Sequence, residues 1–187
     1  MKPFRNKLSK IGWVVFSVVL GQGIFQCSEP SSESGRVPKE ESFAPSFVLP
    51  DIMGEKVKFS EFQGKAILLN FWATWCAPCR REVPRLNELY EKHAKEGLVV
   101  IGISLDYGKP EVVRDFLQGK KIAFVILMGN KEIVGTYGRI PGFGSIRGIP
   151  TTYLIDRKGR VVQKFVGSTS EKRMEEALRP LLNEAMR

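Results

Sequence analysis

The feature that most constrains this chain is a buried strand that runs into a helix across Cys76-Ala77-Pro78-Cys79. Residues 65–72 form a nearly unbroken apolar run after Gly64, which is typical of a strand covered on both faces. Beyond Cys79, apolar residues recur at helical spacing, which predicts a helix that begins near Cys76. Unpaired N–H groups and the helix dipole at such a start stabilise an anion. The first thiol is therefore expected to form the nucleophilic thiolate readily.

The first 27 residues have the layout of an export signal. Four basic residues precede an apolar stretch at 11–25, which is shorter than the ~20 residues that a membrane span needs. Cys27 follows and opens a run of small and polar residues, an order that resembles a bacterial lipoprotein signal. Lipidation of Cys27, an uncleaved anchor and a soluble product all remain open. Either of the first two would tether the protein to a membrane.

Residues 28–42 are rich in Ser, Glu, Pro and Lys, which predicts a flexible linker before a globular domain at 43–187. The chain has a formal net charge of +9, and setting aside the four signal cations leaves +5. No basic run is interleaved with aromatic residues, so we expect no nucleic-acid partner. Because Cys27 belongs to the terminus, Cys76 and Cys79 form one close pair and not a disulfide scaffold.

The rest of the pattern alternates strands and helices and predicts an α/β domain with a right-handed parallel crossover after the cysteine helix. That helix is expected to run to about Lys95 and to stop at Gly97. The other expected elements are a hairpin at 47–59, strands at 98–104 and 123–127, helices at 109–118 and 132–137, a hairpin at 152–166 and a terminal helix from about 171.

Three stretches together resemble the thioredoxin superfamily, and within it the TlpA-like and ResA-like thiol:disulfide oxidoreductases. They are Trp75-Cys76-Ala77-Pro78-Cys79 before a helix, residues 44–51 with 59–65, and Gly148-Ile149-Pro150-Thr151 leading into a strand. The resemblance covers about residues 43–187. It implies a thioredoxin-like three-layer α/β/α sandwich with an added N-terminal β-hairpin, working without a metal or other cofactor.

The two cysteines are predicted to divide the exchange reaction between them. Cys76 at the helix start faces solvent and attacks, while Cys79 lies deeper and displaces the substrate from a mixed disulfide. Pro78 lacks an N–H group and shapes the redox turn. A structural disulfide or half of a metal site is the alternative, although no second Cys or His cluster accompanies the pair. Trp72 is predicted in the core and Trp75 on a contact surface beside Cys76.

By resemblance, Pro150 is the cis-proline that packs against the sulfurs; an ordinary trans turn proline is the alternative. A cis bond would present the backbone of Ile149 to an extended substrate segment. The predicted substrate contacts are therefore Trp75, Pro78, Ile149 and Pro150.

Two departures from the family pattern affect the site. Thioredoxins proper carry a buried aspartate six residues before the first cysteine, whereas this chain has Asn70, which cannot take a proton. Glu82, three residues after Cys79 on the same helix face, is the predicted substitute, and the ResA-like branch has a glutamate at the matching place. Partial burial would raise its pKa and let it shuttle a proton. A solvated glutamate that only favours the helix dipole is the alternative.

The second departure is an insert, because Arg139–Arg147 puts nine residues where the family usually has two. It is rich in glycine, and its Phe143 looks exposed. We expect it to emerge beside Pro150 as a mobile lip that contacts the partner protein.

The expected function is an exported, periplasmic or otherwise extracytoplasmic thiol:disulfide oxidoreductase. Relatives with the hairpin and the glutamate generally reduce partner proteins, as in cytochrome c maturation, and draw electrons from an upstream membrane thiol donor. A peroxiredoxin-like peroxidase and a copper-binding carrier are the alternatives. The proline and threonine that frame a peroxidatic cysteine are missing before Cys76. His93, the only histidine, is predicted on an exposed helix face, away from the cysteines.

Overall fold

The computed structural model describes residues 41–184. The predicted export signal, Cys27 and all but the last two residues of the predicted linker lie outside the described residues. In chain order the described elements are β1 (Val48–Pro50), β2 (Lys56–Lys58), β3 (Ala66–Trp72), α1 (Ala77–His93), β4 (Leu98–Ser104), α2 (Pro110–Leu117), β5 (Val125–Met128), α3 (Lys131–Tyr137), β6 (Thr151–Ile155), β7 (Val161–Val166) and α4 (Glu171–Asn183). Among these helices, none has both the length and the apolar content that a membrane crossing requires.

The central sheet has five strands in the order β5-β4-β3-β6-β7. β3, β4 and β5 are parallel, and β6 and β7 each run antiparallel to the neighbour before them. All seven residues of β3 are buried, as its apolar run predicted for a central strand. β1 and β2 form the predicted hairpin as a separate antiparallel pair.

Alternate residues of β3 point to opposite faces of the sheet. Trp72 packs against Phe116 of α2, with ring centroids 5.5 Å apart. Phe71 points the other way, against Tyr137 of α3, at 5.5 Å. Phe47, just before β1, packs against Tyr137 on that same side. Helices thus cover both faces of the sheet, and the predicted thioredoxin-like α/β/α sandwich with its N-terminal hairpin is confirmed.

The end of α1 is covered by α4, which corrects one prediction. His93, expected on an exposed face, is the last residue of α1 and only 6% exposed. Its Nδ1 lies 3.0 Å from Oε1 of Glu96, and its Nε2 lies 3.5 Å from Oε1 of Glu175 in α4. The local sequence places His93 between Lys92 and Lys95, and the covering helix comes from about 80 residues further along the chain.

The end of the predicted linker is already bound to the sheet. The carbonyl oxygen of Ser42 accepts a hydrogen bond from the N–H of Val161 at 2.7 Å. Its hydroxyl donates to the carbonyl oxygen of Pro141 at 2.8 Å. Ser42 is accordingly buried and packs with the domain that was predicted to begin at residue 43.

Candidate active site

Cys76 and Cys79 are joined by a disulfide at the N-terminus of α1. Cys76 is the N-cap residue, and the N–H of Cys79 points at its Sγ from 3.2 Å. Pro78 occupies the second helical position, where its missing N–H removes no helical hydrogen bond. Cys76 is 6% exposed and Cys79 1% exposed. Both cysteines are thus buried, and Cys76, which was predicted to face solvent, is only slightly more exposed than Cys79.

The Ile149–Pro150 peptide bond is cis, as predicted. The carbonyl oxygen of Ile149 lies 3.7 Å from Sγ of Cys76. The loop is held on both sides, because Gly167 N–H donates to Pro150 O at 2.8 Å and the Thr151 hydroxyl donates to Gly148 O at 2.6 Å. The backbone before the proline is therefore fixed beside Sγ of Cys76.

The side chains predicted near the sulfurs differ in how exposed they are. Trp75 is 70% exposed, whereas Trp72 is buried, and the sequence predicted both. Pro78 and Ile149 are half-buried and Pro150 is buried. A partner that reaches Cys76 would therefore meet Trp75 and Ile149 first.

Glu82 lies in the first turns of α1 and is only 1% exposed. Its Oε2 accepts a hydrogen bond from Asn70 Nδ2 at 3.1 Å, and its Oε1 accepts one from the N–H of Thr169 at 3.1 Å. Burial raises the pKa of the Glu82 carboxyl, and the donors Thr169 and Asn70 and the charge of Arg85 oppose this to a smaller extent. The buried position predicted for Glu82 is confirmed, and the solvated alternative is wrong.

Asn70 connects Glu82 to the neighbouring strand. Its Nδ2 also donates to Oγ1 of Thr152, its register partner on β6, at 2.8 Å. The amide thus holds the carboxylate in place without titrating. Neither Thr152 nor Thr169 was predicted from the sequence. Thr169 contributes only a backbone N–H to Glu82, for which a sequence carries no side-chain signal.

Asp106 is a second buried carboxylate near the two cysteines, and it was not predicted from the sequence. Its Oδ1 accepts from the Thr74 hydroxyl at 2.6 Å, and its Oδ2 accepts from Thr74 N–H at 3.0 Å and from the Ser104 hydroxyl at 2.8 Å. These bonds tie the turn before Cys76 to the end of β4. The position of Asp106 could have indicated its role, because it follows the carboxyl end of β4, the parallel strand next to β3, which leads into Cys76.

The insert at 139–147 is held by contacts with the rest of the domain. Lys164 of β7 donates from Nζ to the carbonyl oxygens of Phe143, Gly144 and Ser145 at 3.0, 2.9 and 2.8 Å. Ile140 is buried, and Phe143, predicted to be exposed, is half-buried against the core. The prediction for Phe143 is wrong because the sequence of a loop does not reveal that the chain folds it back onto a sheet.

Within residues 41–184, no three His, Cys, Asp or Glu side chains lie close enough together to hold a metal ion. His93 closes the C-terminal end of α1, and 17 helical residues separate the two ends of that helix by about 25 Å. His93 and the two cysteines therefore cannot bind the same metal ion.

The chain matches the AhpC/TSA family over residues 41–164. Thiol-disulfide oxidoreductase ResA of Bacillus cereus is 34% identical over 183 residues, which cover 97% of this chain and 99% of that protein. ResA of Geobacillus kaustophilus is 35% identical over 139 residues, which cover 73% of this chain and 75% of that protein. A thioredoxin-family thiol:disulfide interchange protein from Chlorobium tepidum has a TM-score of 0.68 at 30% identity, covering 76% of this chain and 97% of its own. The chain therefore belongs to the AhpC/TSA family and is a thioredoxin-like thiol:disulfide oxidoreductase similar to ResA.

Proposed function

We propose that this oxidoreductase works outside the cytoplasm and reduces disulfides in partner proteins, such as those of cytochrome c maturation. The observation that carries the proposal is the Cys76–Cys79 disulfide, held beside the Ile149 carbonyl and on the same helix as the buried Glu82. Relatives named ResA and a structural neighbour described as a DsbE-type interchange protein support the choice of substrate class.

In the first step the Cys76 thiolate attacks one sulfur of the partner disulfide. A mixed disulfide forms, and the other partner sulfur leaves as a thiolate that takes up a proton. The N–H of Cys79, which points at Sγ of Cys76, and the helix dipole stabilise the attacking thiolate.

In the second step Cys79 gives up its proton and attacks Sγ of Cys76. This attack expels the second partner sulfur as a thiolate, which takes up a proton to complete the dithiol, and leaves the Cys76–Cys79 disulfide. Two electrons thus pass to the partner. Glu82 is one helical turn beyond Cys79, and burial raises the pKa of its carboxyl, which makes it a better acceptor for that proton than an ordinary carboxylate. Trp75, Pro78, Ile149 and Pro150 serve as the contact surface for an extended partner segment.

Return to the reduced state requires an upstream thiol donor in the membrane. Residues 1–27 supply the export signal, and lipidation of Cys27 or retention of the apolar segment at 11–25 tethers the domain near that donor. Residues 28–42 act as the linker that lets the domain reach its partners.

The test is to express Cys79→Ser in a host that contains the partners and to identify the proteins that stay attached to Cys76. We expect the trapped proteins to be exported proteins that contain disulfides and to be released by a reductant. Cys76→Ser is the matched control and should trap nothing. A Cys79→Ser protein that captures no partner, together with a Cys76 that alkylates no faster at neutral pH than an unfolded thiol, would refute the proposal.

The peroxidase and copper-carrier alternatives gain no specific support. His93 lies about a helix length from the cysteines, which removes the one imidazole that a copper site would use. Peroxide consumption by the reduced protein, compared with Cys76→Ser, separates the peroxidase from the reductase.

A further inference from the structure

Four loops meet around the Cys76–Cys79 disulfide and form one continuous face. The N–H of Leu105 donates to the carbonyl oxygen of Trp72 at 2.8 Å, which joins the loops after β3 and β4. The contact between Ile149 O and Cys76 Sγ brings in the loop before β6, and the bond from Gly167 N–H to Pro150 O brings in the loop after β7. A partner that reaches Cys76 must touch this face.

The exposed charges that these loops and the first turns of α1 contribute are all positive. They are Arg80, Arg81, Lys109, Arg139 and Arg147. Within residues 41–184 none of these five forms an ion pair. The carboxylates of the same segments, Glu82 and Asp106, are buried and bound internally. The first acidic residues that follow the loops after β4 and β7 are Glu111 and Glu171, in the first turns of α2 and α4.

Two of the cations are placed by specific contacts. The guanidinium carbon of Arg80 lies 5.7 Å from the ring centre of Phe116, which holds that side chain against α2. Arg147 ends the insert, which Lys164 fixes through three carbonyl oxygens. Arg147 also donates from Nε to the hydroxyl of Ser145 at 3.3 Å.

The centre of the face is aromatic and apolar. Trp75 is 70% exposed and Tyr107 44% exposed, and Ile149 is half-buried beside the sulfur. An apolar centre surrounded by unpaired cations matches a peptide that is uncharged next to its cysteines and acidic on either side.

We propose that this face selects partner proteins whose disulfide lies in an extended segment flanked by Asp or Glu. The inference rests on the proposed function, because it names the substrate class of the same cysteines. Cations around the attacking sulfur speed the encounter with an acidic segment and hold it while the mixed disulfide forms. They also slow the encounter with a basic segment.

The experiment uses three oxidised peptides that share one internal disulfide and differ only in flanking Glu, Gln or Lys residues. Stopped-flow fluorescence measures the rate at which the reduced full-length protein reacts with each. At low ionic strength we expect the Glu peptide to react about tenfold faster than the Lys peptide, with the Gln peptide between them. At about 0.5 M salt the difference should shrink, since screening then acts within a few ångströms.

Two charge-reversal variants test which cations act. Arg147→Glu is expected to reduce the preference for the Glu peptide at least threefold. Lys65→Glu is the matched control, because this exposed lysine directly precedes β3, at the end of the sheet away from Cys76, and its reversal should leave the preference within twofold. Hydroxyethyl disulfide, which is small and neutral, should react at the same rate with the wild type and with Lys65→Glu. The preference is a ratio of two peptide rates, so a change in the reactivity of Cys76 itself in Arg147→Glu cancels.

The outcomes distinguish this inference from the function on which it rests. A protein that reduces the neutral disulfide and all three peptides at rates independent of flanking charge overturns the inference alone. So does an Arg147→Glu effect no larger than that of Lys65→Glu. A protein that reduces no peptide and no small disulfide overturns the proposed function and, with it, this substrate class.

Discussion

At the scale of single residues, Glu82 is a carboxyl group that the fold removes from water while leaving it two donors, Asn70 and the N–H of Thr169. Loss of hydration outweighs those two bonds, so the pKa is raised. The sequence could predict this residue because Glu82 and Cys79 belong to one helix and their spacing is local. It could not reveal Thr169, which is contributed by a loop far along the chain, nor Asp106, whose partners lie on another strand.

Removing the titratable group from Glu82 should slow the second step of exchange. Glu82→Gln keeps the size of the side chain but cannot accept the Cys79 proton, so we expect release from the mixed disulfide to slow about 10²-fold. Rapid-quench analysis should show the mixed disulfide accumulating in Glu82→Gln. Glu88→Gln, an exposed change in the same helix, is the control and should react within twofold of the wild type. Equal rates for the two variants would exclude Glu82 as the proton acceptor.

The raised pKa of Glu82 also predicts how stability changes with pH. The folded protein holds this proton more tightly than the unfolded chain, so the contribution is fully present below the unfolded pKa. It is lost as pH rises through the folded pKa. The free energy of unfolding of oxidised Glu82→Gln, minus that of the wild type, should therefore increase from pH 4 to pH 8. Urea titrations across that range measure it, and a difference that is flat or falls with pH would contradict the raised pKa.

Asp106 should influence reactivity through the turn that carries Cys76. Thr74→Val removes one hydrogen bond to Asp106 and keeps the backbone bond, so a loss of about 1 kcal/mol in unfolding free energy is expected. Asp106→Ala removes all three accepted bonds and should cost about 3 kcal/mol. If the carboxylate positions Cys76, the pH profile of Cys76 alkylation shifts in both variants. Unchanged alkylation profiles would limit Asp106 to a purely stabilising role.

At the scale of elements, the strands and α1 were predictable because their patterns are complete within short stretches. β3 needed only its apolar run. The helical segment stops at Gly97 as predicted, at a φ of 92° that favours glycine, but α1 itself ends at His93 and residues 94–96 form a 3-10 turn. The two misplaced side chains, His93 and Phe143, are each covered by an element distant in sequence. Local periodicity carries no record of such packing.

The insert offers an element-scale prediction through Lys164. Lys164→Met keeps the aliphatic stem but removes the three bonds to insert carbonyls, so the insert should open more often. Hydrogen exchange at residues 141–147 is expected to accelerate about tenfold, while exchange in β3 stays unchanged. Lys56→Met, at an exposed position of β2, is the control. Equal exchange in the two variants would show that Lys164 does not hold the insert.

At the scale of the whole molecule, the sheet brings four distant loops to one edge, and the disulfide lies in the middle of them. Parallel strands place their carboxyl ends together, so the loops after β3 and β4 had to meet there. The antiparallel strands β6 and β7 add the cis-proline loop and the donor to Glu82 from the other side. The topology thus explains why residues from 70 to 169 share one site.

The direction of electron flow can be predicted from the stability of the entire fold. A thermodynamic cycle links the two redox states. The free energy of unfolding of the oxidised protein minus that of the reduced protein is set by the difference between the reduction potentials of the unfolded and the folded chain. A reductant has the lower potential when folded, so its oxidised form should be the harder one to unfold. Each 30 mV below the potential of the unfolded chain adds about 1.4 kcal/mol to that difference. Urea unfolding of the full chain in both redox states at pH 7 measures this free-energy difference. Cys76→Ser, which cannot form the disulfide, is the control and should unfold alike with and without reductant. A reduced form more stable than the oxidised form would assign the protein to disulfide formation in its partners and reverse the proposed direction.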